Sequence, residues 1–226
     1  MKLQGGSTGG SVVNLAAATG ISGGGDHMLL GDLQQMRIEM TQLLDKLSAL
    51  LPGPKEQKVF LINNYDLILT IFQDKKIAVN EEIQKFEDIF MHQRELFAEE
   101  EVKHSFPKLI SFVLQTEQQI TNENFATGST KSRISLDEGL VENLVYDFSN
   151  NWKTGIQHIN DDVLAFFPNQ RNGMEILKQV LTQLLLYYTR FQDIVKKSFD
   201  RQPSFTRDII STATILMEIK KFSRAF

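Results

Sequence analysis

The amino-acid sequence predicts an all-α protein built as an elongated antiparallel helical bundle, or as two stacked bundles. Apolar residues recur three and four positions apart almost everywhere from Leu33 onward, which is the spacing of amphipathic helices. No segment alternates apolar and polar residues between turn signals, so we expect no sheet. The periodic segments are joined by short links, and short links place consecutive helices antiparallel.

The first predicted helix carries its apolar residues with the spacing of a coiled-coil seam. Leu44 and Leu51 widen this stripe towards the face of a bundle helix. The stripe consists of Leu33, Met36, Met40, Leu43, Leu47 and Leu50. We expect the helix to end at 52–54, where Pro-Gly-Pro does not continue a helix without loss of stability.

The next two helices are bounded by a capping asparagine and a proline. The second helix, about 55–76, is apolar on most of its faces, which predicts that it packs on several sides. Asn80 has the chemistry of an N-cap for the third helix, with two glutamates following it at the positive end of the helix dipole. Pro107 marks a break or a restart after that helix.

The mostly polar stretch 121–134 predicts the main internal boundary. Ser135 and Glu138 have the spacing of a capping box, which predicts the start of a long helix that Pro168 ends. After a break at 168–173, a further helix runs past Ile194, and a last helix runs from about Thr206 to residue 221.

We divide the chain into three segments. Residues 1–28 are rich in Gly, Ser and Ala and end in a His-Met pair of the kind that cloning sites leave, which indicates a flexible vector-derived or linker segment. Residues 29–128 are expected to form an N-terminal helical sub-bundle, and residues 129–226 a C-terminal one.

The bulk composition excludes several classes of function. The chain has 226 residues, of which 42% are hydrophobic, and a net charge of −4, so it has no global basic field for nucleic acid. It contains no cysteine, which excludes disulfides, thiol nucleophiles and cysteine-rich zinc sites. Its longest apolar runs, such as 184–188, have five residues and are far shorter than the roughly 20 residues of a membrane span.

Candidate catalytic and metal-binding patterns all have simpler interpretations. Glu101 and His104 have the Glu-x-x-His spacing of di-iron bundles, but no second copy exists and Glu99–Glu101 is interpreted as a solvated charge run. The run 128–132 (Gly-Ser-Thr-Lys-Ser) lacks the spacing of a phosphate-binding loop and is read as an inter-helix loop. The isolated histidines His92, His104 and His158 are read as surface or cap residues. We therefore expect a non-enzymatic protein without cofactor or metal.

The C-terminal part of the chain is basic, although the whole chain is acidic. Residues 169–226 carry ten basic and five acidic side chains. Either this is an ordinary solvated face, or it docks an acidic partner or an anionic membrane surface. The candidate partner-binding residues are Lys196, Lys197 and Arg201. Trp152 and the pair Tyr187-Tyr188 are expected to be core anchors.

Three stretches resemble a known family. They are 59–66 (Val-Phe-Leu-Ile-Asn-Asn-Tyr-Asp), the run from Arg171-Asn172-Gly173 to Phe191, and the ending 217–221 (Met-Glu-Ile-Lys-Lys) that a terminal phenylalanine closely follows. Their order and spacing resemble the C-terminal region of the vacuolar protein sorting-associated protein 52 family, whose members are subunits of the GARP and EARP vesicle-tethering complexes. Within these motifs, Asn63 and Asp66 are candidates to cap or bridge helices, and Gly173 to permit a tight turn.

The resemblance implies a helical-rod fold of the tethering-complex (CATCHR-like) class. It implies a role in endosome-to-trans-Golgi retrograde transport and endosomal recycling, as a peripheral protein on the cytosolic face of the trans-Golgi network and endosomes. The implied partners are other tethering-complex subunits, a Rab-family GTPase in its GTP form and SNARE proteins. The alternative is a membrane-surface or SNARE-binding helical scaffold that uses the basic C-terminal face.

Overall fold

The computed structural model describes residues 24–77, 80–127, 136–199 and 203–223. Within these ranges the chain forms seven α-helices and a 3-10 helix, and no strand, so the all-α prediction is confirmed. The helices are α1 (Gly24–Ser48), α2 (Pro54–Asp74), α3 (Glu81–Ser105), α4 (Pro107–Thr127), α5 (Glu138–Phe166), α6 (Gln170–Ser198) and α7 (Thr212–Ser223). The 3-10 helix, Ser204–Asp208, lies between α6 and α7. None of these helices combines the length and apolar character that crossing a membrane requires.

Several predicted boundaries are confirmed by the backbone. The first helix ends before 52–54, and α4 begins at Pro107. Asn80 is the N-cap of α3, and its side-chain oxygen accepts a hydrogen bond from the amide of Ile83 at 2.9 Å. These boundaries were predictable because capping and proline effects depend only on residues within one helical turn.

Four other boundaries differ from the prediction. The N-cap of α5 is Asp137, whose carboxylate accepts hydrogen bonds from the backbone amides of Gly139 and Leu140. The predicted cap Ser135 and the loop run 128–132 lie outside the described residues. Helix α4 extends through Thr127, so part of the polar stretch 121–134 is helical. Helix α6 begins at Gln170, which shortens the predicted break at 168–173. The segment from Thr206 forms a 3-10 turn before α7 begins.

Helices α3 and α6 lie at the centre of the bundle. Helix α3 packs against α2, α4, α5 and α6, while α6 packs against α3, α4, α5 and α7. Helices α2 and α3 are antiparallel, since Lys55 near the start of α2 pairs with Glu101 near the end of α3, and Tyr65 further along α2 contacts Phe86. Helix α1 lies on the outside, against α2 and α3.

The buried side chains form one continuous core that includes both predicted sub-bundles. Trp152, Tyr187 and Tyr188 all belong to it, as expected of core anchors. The rings of Phe148 on α5 and Tyr188 on α6 stack with their centroids 4.5 Å apart. The segments 29–128 and 129–226 therefore share their hydrophobic interior. Of the segment 1–28, residues from Gly24 onward belong to helix α1, and the rest lies outside the described residues.

Two polar residues of the first family motif connect α2 to the link between α5 and α6. The amide nitrogen Nδ2 of Asn63 donates to the carbonyl oxygen of Phe166 at 2.9 Å. One turn further along α2, the Asp66 carboxylate accepts from Nδ2 of Asn169 at 2.8 Å. The expectation that Asn63 and Asp66 bridge helices agrees with these bonds, because each satisfies a polar group at a helix end.

Gly173 does not form a turn but lies inside the first turns of α6. It is buried, and a Cβ atom there would be 3.3 Å from the carbonyl oxygen of Phe167. The glycine therefore lets the link between α5 and α6 approach the helix closely, which corrects the predicted role.

We expect Gly155→Ala to destabilise the protein, although alanine is the better helix former. A Cβ atom at position 155 would lie 2.4 Å from the ring of the buried Phe106, so the ring must move. Overpacking of this kind costs about 1–3 kcal/mol, more than the ~1 kcal/mol that alanine contributes to a helix. Urea unfolding measures the effect.

The matched control is Gly31→Ala on the exposed surface of α1. No atom lies within 4 Å of a Cβ built there, so this substitution should leave stability unchanged or raise it by about 0.5–1 kcal/mol. A stabilising effect at both positions would contradict the packing of Phe106 against α5.

Candidate functional site

The predicted partner-binding lysines lie at the C-terminal end of α6. Lys196 and Lys197 occupy its last turn, and both side chains are exposed. Neither forms an ion pair within the described part of the chain. Cations in the last turn complement the negative end of the helix dipole, so their position is also favourable for the helix itself. Arg201 lies outside the described residues.

Other basic side chains of the C-terminal part are neutralised within the chain. Lys178 pairs with Glu175 at 2.7 Å, and Lys221 pairs with Glu218 at 2.8 Å. Arg190 forms a two-armed pair with Glu117 on α4, with its Nε at 2.8 Å from Oε1. The basic face is therefore smaller than the sequence indicated. The cations of residues 169–226 without an ion pair in the described ranges are Arg171, Lys196, Lys197, Arg207 and Lys220.

Helix α1 presents an exposed apolar seam to solvent. The α1 seam consists of Leu33, Met36, Met40, Leu43 and Leu47 on the helix and of Leu50 in the turn that follows it, at intervals of three, four, three, four and three residues. This is the heptad spacing of coiled coils. All of them except Met40 are exposed, and Leu43 and Leu50 show 56% and 80% of their surface.

The stripe of α1 that borders the α1 seam holds the helix on the bundle, and Met40 of the seam also packs against the core. Its buried residues include Leu44 and Ser48, and Arg37 forms an ion pair with Glu82 on α3 at 2.5 Å. Helix α1 thus attaches through a partly polar stripe and leaves its more apolar stripe free. An apolar seam that the fold itself does not cover is typical of a protein-binding surface.

A polar pocket lies where the two main family motifs meet. It is lined by residues of α2, α3 and the start of α6 and has a volume of about 350 Å³. Asp66 of the first motif and the neighbouring Arg171 and Asn172 of the second contribute to its wall. Sequence periodicity gave no sign of this pocket, because its walls come from helices that are distant along the chain.

Two side chains of the polar pocket have unsatisfied hydrogen-bonding groups. Asn172 is only 6% exposed, and neither atom of its side-chain amide has a partner. The buried Nε of Arg94 also has none, and burial lowers the pKa of this guanidinium from its usual value. Buried polar groups are nearly always hydrogen-bonded, so two unpaired groups in one cavity are available to a water molecule or a ligand.

A buried ion cluster corrects the interpretation of Glu101. This residue was read as part of a solvated run, but its side chain is completely buried and lies 2.8 Å from the ammonium of Lys55 on α2. The same ammonium lies 2.6 Å from Asp162 on α5. The cluster therefore joins three helices. Its burial could not be predicted from the run of glutamates, because the neighbouring Glu100 is partly exposed.

The ionisation of this cluster follows from its burial. Burial raises the pKa of Glu101, and the hydrogen bond to Lys55 offsets the effect only in part. Burial also lowers the pKa of Lys55, but the hydrogen bonds to Asp162 and Glu101 outweigh it, so that pKa is raised overall. The Lys55 ammonium therefore opposes the protonation of Glu101 that burial favours.

The described residues offer no group of three or more His, Asp or Glu side chains that could hold a metal ion. His104 is exposed while Glu101 is buried, so the two residues of the Glu-x-x-His pattern do not face a common site. His92 and His158 are exposed as well.

Comparison with known proteins places these features in a family context. The family model described as Vps52, C-terminal, matches residues 11–98, a range that starts inside the segment 1–28 assigned to a vector or linker. Vacuolar protein sorting-associated protein 52 A of Arabidopsis thaliana is 37% identical over 89% of the chain, and protein 52 B of the same plant is 36% identical over 89%.

More distant relatives show the same similarity. The vacuolar protein sorting-associated protein 52 homolog of Homo sapiens is 28% identical over 86% of the chain. The chain spans 26–28% of the length of these relatives. No solved structure matches the chain significantly. The shared family model and the extended similarity to these relatives show that the chain belongs to the vacuolar protein sorting-associated protein 52 family.

Proposed function

We propose that the chain is a protein-interaction module of a multisubunit vesicle tether. The tether would act in endosome-to-trans-Golgi retrograde transport and endosomal recycling, from the cytosolic face of these membranes. Membership of the family supports this assignment, since its members are named for vacuolar protein sorting. The observation that carries it is the exposed α1 seam, which provides a surface for a helix of another subunit.

The chemistry of the α1 seam suits a helix rather than an extended peptide. In a coiled coil, apolar residues at alternating three- and four-residue intervals insert between four residues of the facing helix. Met36, Leu43 and Leu50 form the more exposed of the two lines of the seam. A partner helix with its own heptad pattern buries this line and extends the bundle by one helix.

We expect the double substitution Leu43→Gln and Leu50→Gln to abolish capture of other tether subunits without unfolding the domain. Both side chains are largely exposed, so the change in stability should stay within about 0.5 kcal/mol for each residue. The experiment is co-purification of the subunits after co-expression with the full-length protein. Thermal unfolding of the purified variant checks the fold.

Leu186→Gln on α6 provides the control for that experiment. Its side chain is 54% exposed, nearly the same as that of Leu43, but it lies outside the α1 seam. This variant should capture the other subunits normally. Equal capture by the seam variant and the control would show that α1 does not contribute to assembly.

The proposal includes recognition of a GTP-loaded Rab protein through the basic end of α6. Rab switch regions present an ordered apolar patch only while the γ-phosphate holds them. Lys196 and Lys197 are exposed and without an ion pair in the described ranges, so they are available to steer an acidic surface. Exposed apolar side chains on α7, Leu216 and Met217, belong to the same C-terminal part of the chain.

Reversing the charge of Lys196 and Lys197 to glutamate, together with Arg201→Glu, should weaken retention of the Rab. We expect the unmodified chain to retain a GTP-loaded Golgi Rab with micromolar affinity and in preference to the GDP-loaded form. A pull-down against a panel of nucleotide-loaded Rab proteins measures both. Increasing salt should slow association, because steering between exposed charges is screened.

A second adjacent lysine pair provides the matched control. Lys75 and Lys76 follow the end of α2, are exposed and form no ion pair in the described ranges. Replacing both lysines with glutamate changes the charge at a helix C-terminus, as the Lys196 and Lys197 substitutions do. This variant should retain the Rab as well as the parent does. Equal retention of both nucleotide states by the unmodified chain would remove the GTPase role and leave the tether assignment standing.

The alternative function is a membrane-surface or SNARE-binding scaffold that uses the same lysines. Co-sedimentation with anionic liposomes at low and at physiological salt separates this alternative from Rab recognition. A purely electrostatic surface binder pellets at low salt and is released as the salt concentration rises.

A further inference from the structure

We propose that the polar pocket between α2, α3 and the start of α6 binds the carboxylate of an acidic side chain presented by a partner protein. This site is separate from the basic end of α6. Asn172 and Lys196 are 24 residues apart in one helix, which corresponds to about 36 Å along its axis. The inference therefore goes beyond the proposed Rab contact and does not depend on it.

The arrangement of Arg94 suits a planar anion. Its Nη1 contacts the sulfur of Met91 at 3.8 Å, and its guanidinium carbon lies 5.4 Å from the centre of the Phe90 ring. The buried Nε has no acceptor. Nε and Nη2 form the side of a guanidinium that binds a carboxylate through two parallel hydrogen bonds, and within the described residues no acceptor occupies Nε.

Asn172 adds a second, independent donor to the polar pocket. Its backbone is fixed in the first turn of α6, where its amide donates to the side chain of the N-cap Asn169 at 3.4 Å. Its own side-chain amide is nine-tenths buried, lines the polar pocket and has no partner. A buried amide without hydrogen bonds lowers the stability of the folded state. A ligand oxygen that accepts a hydrogen bond from Nδ2 of Asn172 restores part of that stability.

The charges around the polar pocket favour a carboxylate over a phosphate. Asp66 and Glu175 line it, but Asp66 already accepts a bond from Asn169, and Glu175 is paired with Lys178. Arg171 at the rim is exposed and has no ion pair in the described ranges. Arg94, Arg171 and Lys178 carry one positive charge more than Asp66 and Glu175, and this excess balances a single carboxylate but not a phosphate dianion.

The test uses two small amino acid derivatives whose termini are blocked and uncharged, and which differ only in their side chain. N-acetyl-glutamate N-methylamide carries the carboxylate, and N-acetyl-glutamine N-methylamide is its neutral isostere. Each probe is titrated into the ¹⁵N-labelled chain, and the Nε–Hε signal of Arg94 and the side-chain amide signals of Asn172 are followed by NMR. Inorganic phosphate is titrated in a third experiment, which tests whether the polar pocket prefers a carboxylate or a phosphate.

We expect the glutamate probe to shift both sets of signals saturably, with a dissociation constant of order 1 mM for a ligand of this size. The glutamine probe should bind at least about tenfold more weakly, as expected when a charged hydrogen bond is lost. Arg94→Gln should weaken the glutamate probe by a similar factor. Arg207→Gln, which removes an exposed arginine of the 3-10 helix, should leave it unchanged.

If Arg94→Gln does not fold, the variant Arg94→Lys takes its place in the comparison with the parent protein. It retains the charge but lacks the planar pair of donors, so binding of the glutamate probe should still weaken. Equal responses to the glutamate and glutamine probes, or no saturable shift with either, would overturn the proposal. Tighter binding of phosphate than of the glutamate probe would overturn the assignment to a carboxylate.

Discussion

Lys55→Met is expected to destabilise the protein by about 3–5 kcal/mol, because Glu101 loses its cation and must either stay charged in the interior or take up a proton at neutral pH. The Glu101 side chain is completely buried, and Lys55 is its ion-pair partner at 2.8 Å. Asp162, the second partner of Lys55, is partly exposed and keeps contact with water. Urea unfolding at neutral pH measures the loss.

The control is Lys58→Met, one turn further along the same helix. Lys58 lies 3.8 Å from Glu100, whose side chain is 41% exposed. The Lys58 side chain is 17% exposed, like that of Lys55, but the Glu100 carboxylate keeps contact with water when its partner is removed. Pairs with a solvated partner contribute about 0–1 kcal/mol, so this variant should unfold nearly like the parent. If the two variants were equally stable, Glu101 would not be a buried charge.

The pH dependence of Lys55→Met follows from the raised pKa of Glu101. A carboxyl whose pKa is higher in the folded state contributes stability at low pH, and that stability is lost as pH rises through the folded-state pKa. Without Lys55 this pKa rises further. The deficit of the variant relative to the parent should therefore be largest at neutral pH and shrink on acidification. The added substitution Glu101→Met should restore stability at neutral pH, since no buried charge remains.

Trp152→Ala is expected to cost about 3–5 kcal/mol, from lost burial and from the cavity that remains. Trp152 is buried on α5 in the stripe that also includes Phe148 and Ile156. For a chain of this size such a loss lowers the melting temperature by roughly 6–20 °C. Differential scanning calorimetry measures the shift.

Lys153→Ala is the control for the tryptophan variant. Its side chain is exposed, and its ammonium lies over the Trp152 ring at 5.4 Å from the centroid. Removing it should change stability by less than about 1 kcal/mol. If Trp152→Ala melted like the parent, the tryptophan would be exposed and would become a candidate interface residue.

Helix content and several helix boundaries could be predicted from the sequence because they depend on local interactions. The spacing of apolar residues, the Asn80 cap and the break at Pro107 involve neighbours within about one turn. Where two residues that can cap a helix lie within a few positions, sequence preferences do not determine which of them is the N-cap. The pattern favoured Ser135 for α5, but the helix begins from Asp137.

The family resemblance was also readable in the sequence, and the comparisons bear it out. The motifs 59–66 and 171–173 were visible as strings of residues, but their common purpose in the fold was not. They meet at the link between α5 and α6, where Asp66 bonds to Asn169 and where Gly173 lets Phe167 approach. The polar pocket forms at the same place.

The sequence by itself determined the helices, their amphipathic faces and the family, because these depend on residue order and short-range spacing. The tertiary structure alone decided which face of each helix is covered. It attaches α1 through Leu44 and Ser48 and leaves the more apolar α1 seam exposed. It also buries Glu101 beside Lys55 and leaves the Nε of Arg94 without an acceptor among the described residues. The environment of a charged side chain is set by helices that are distant along the chain, and no local pattern contains that information.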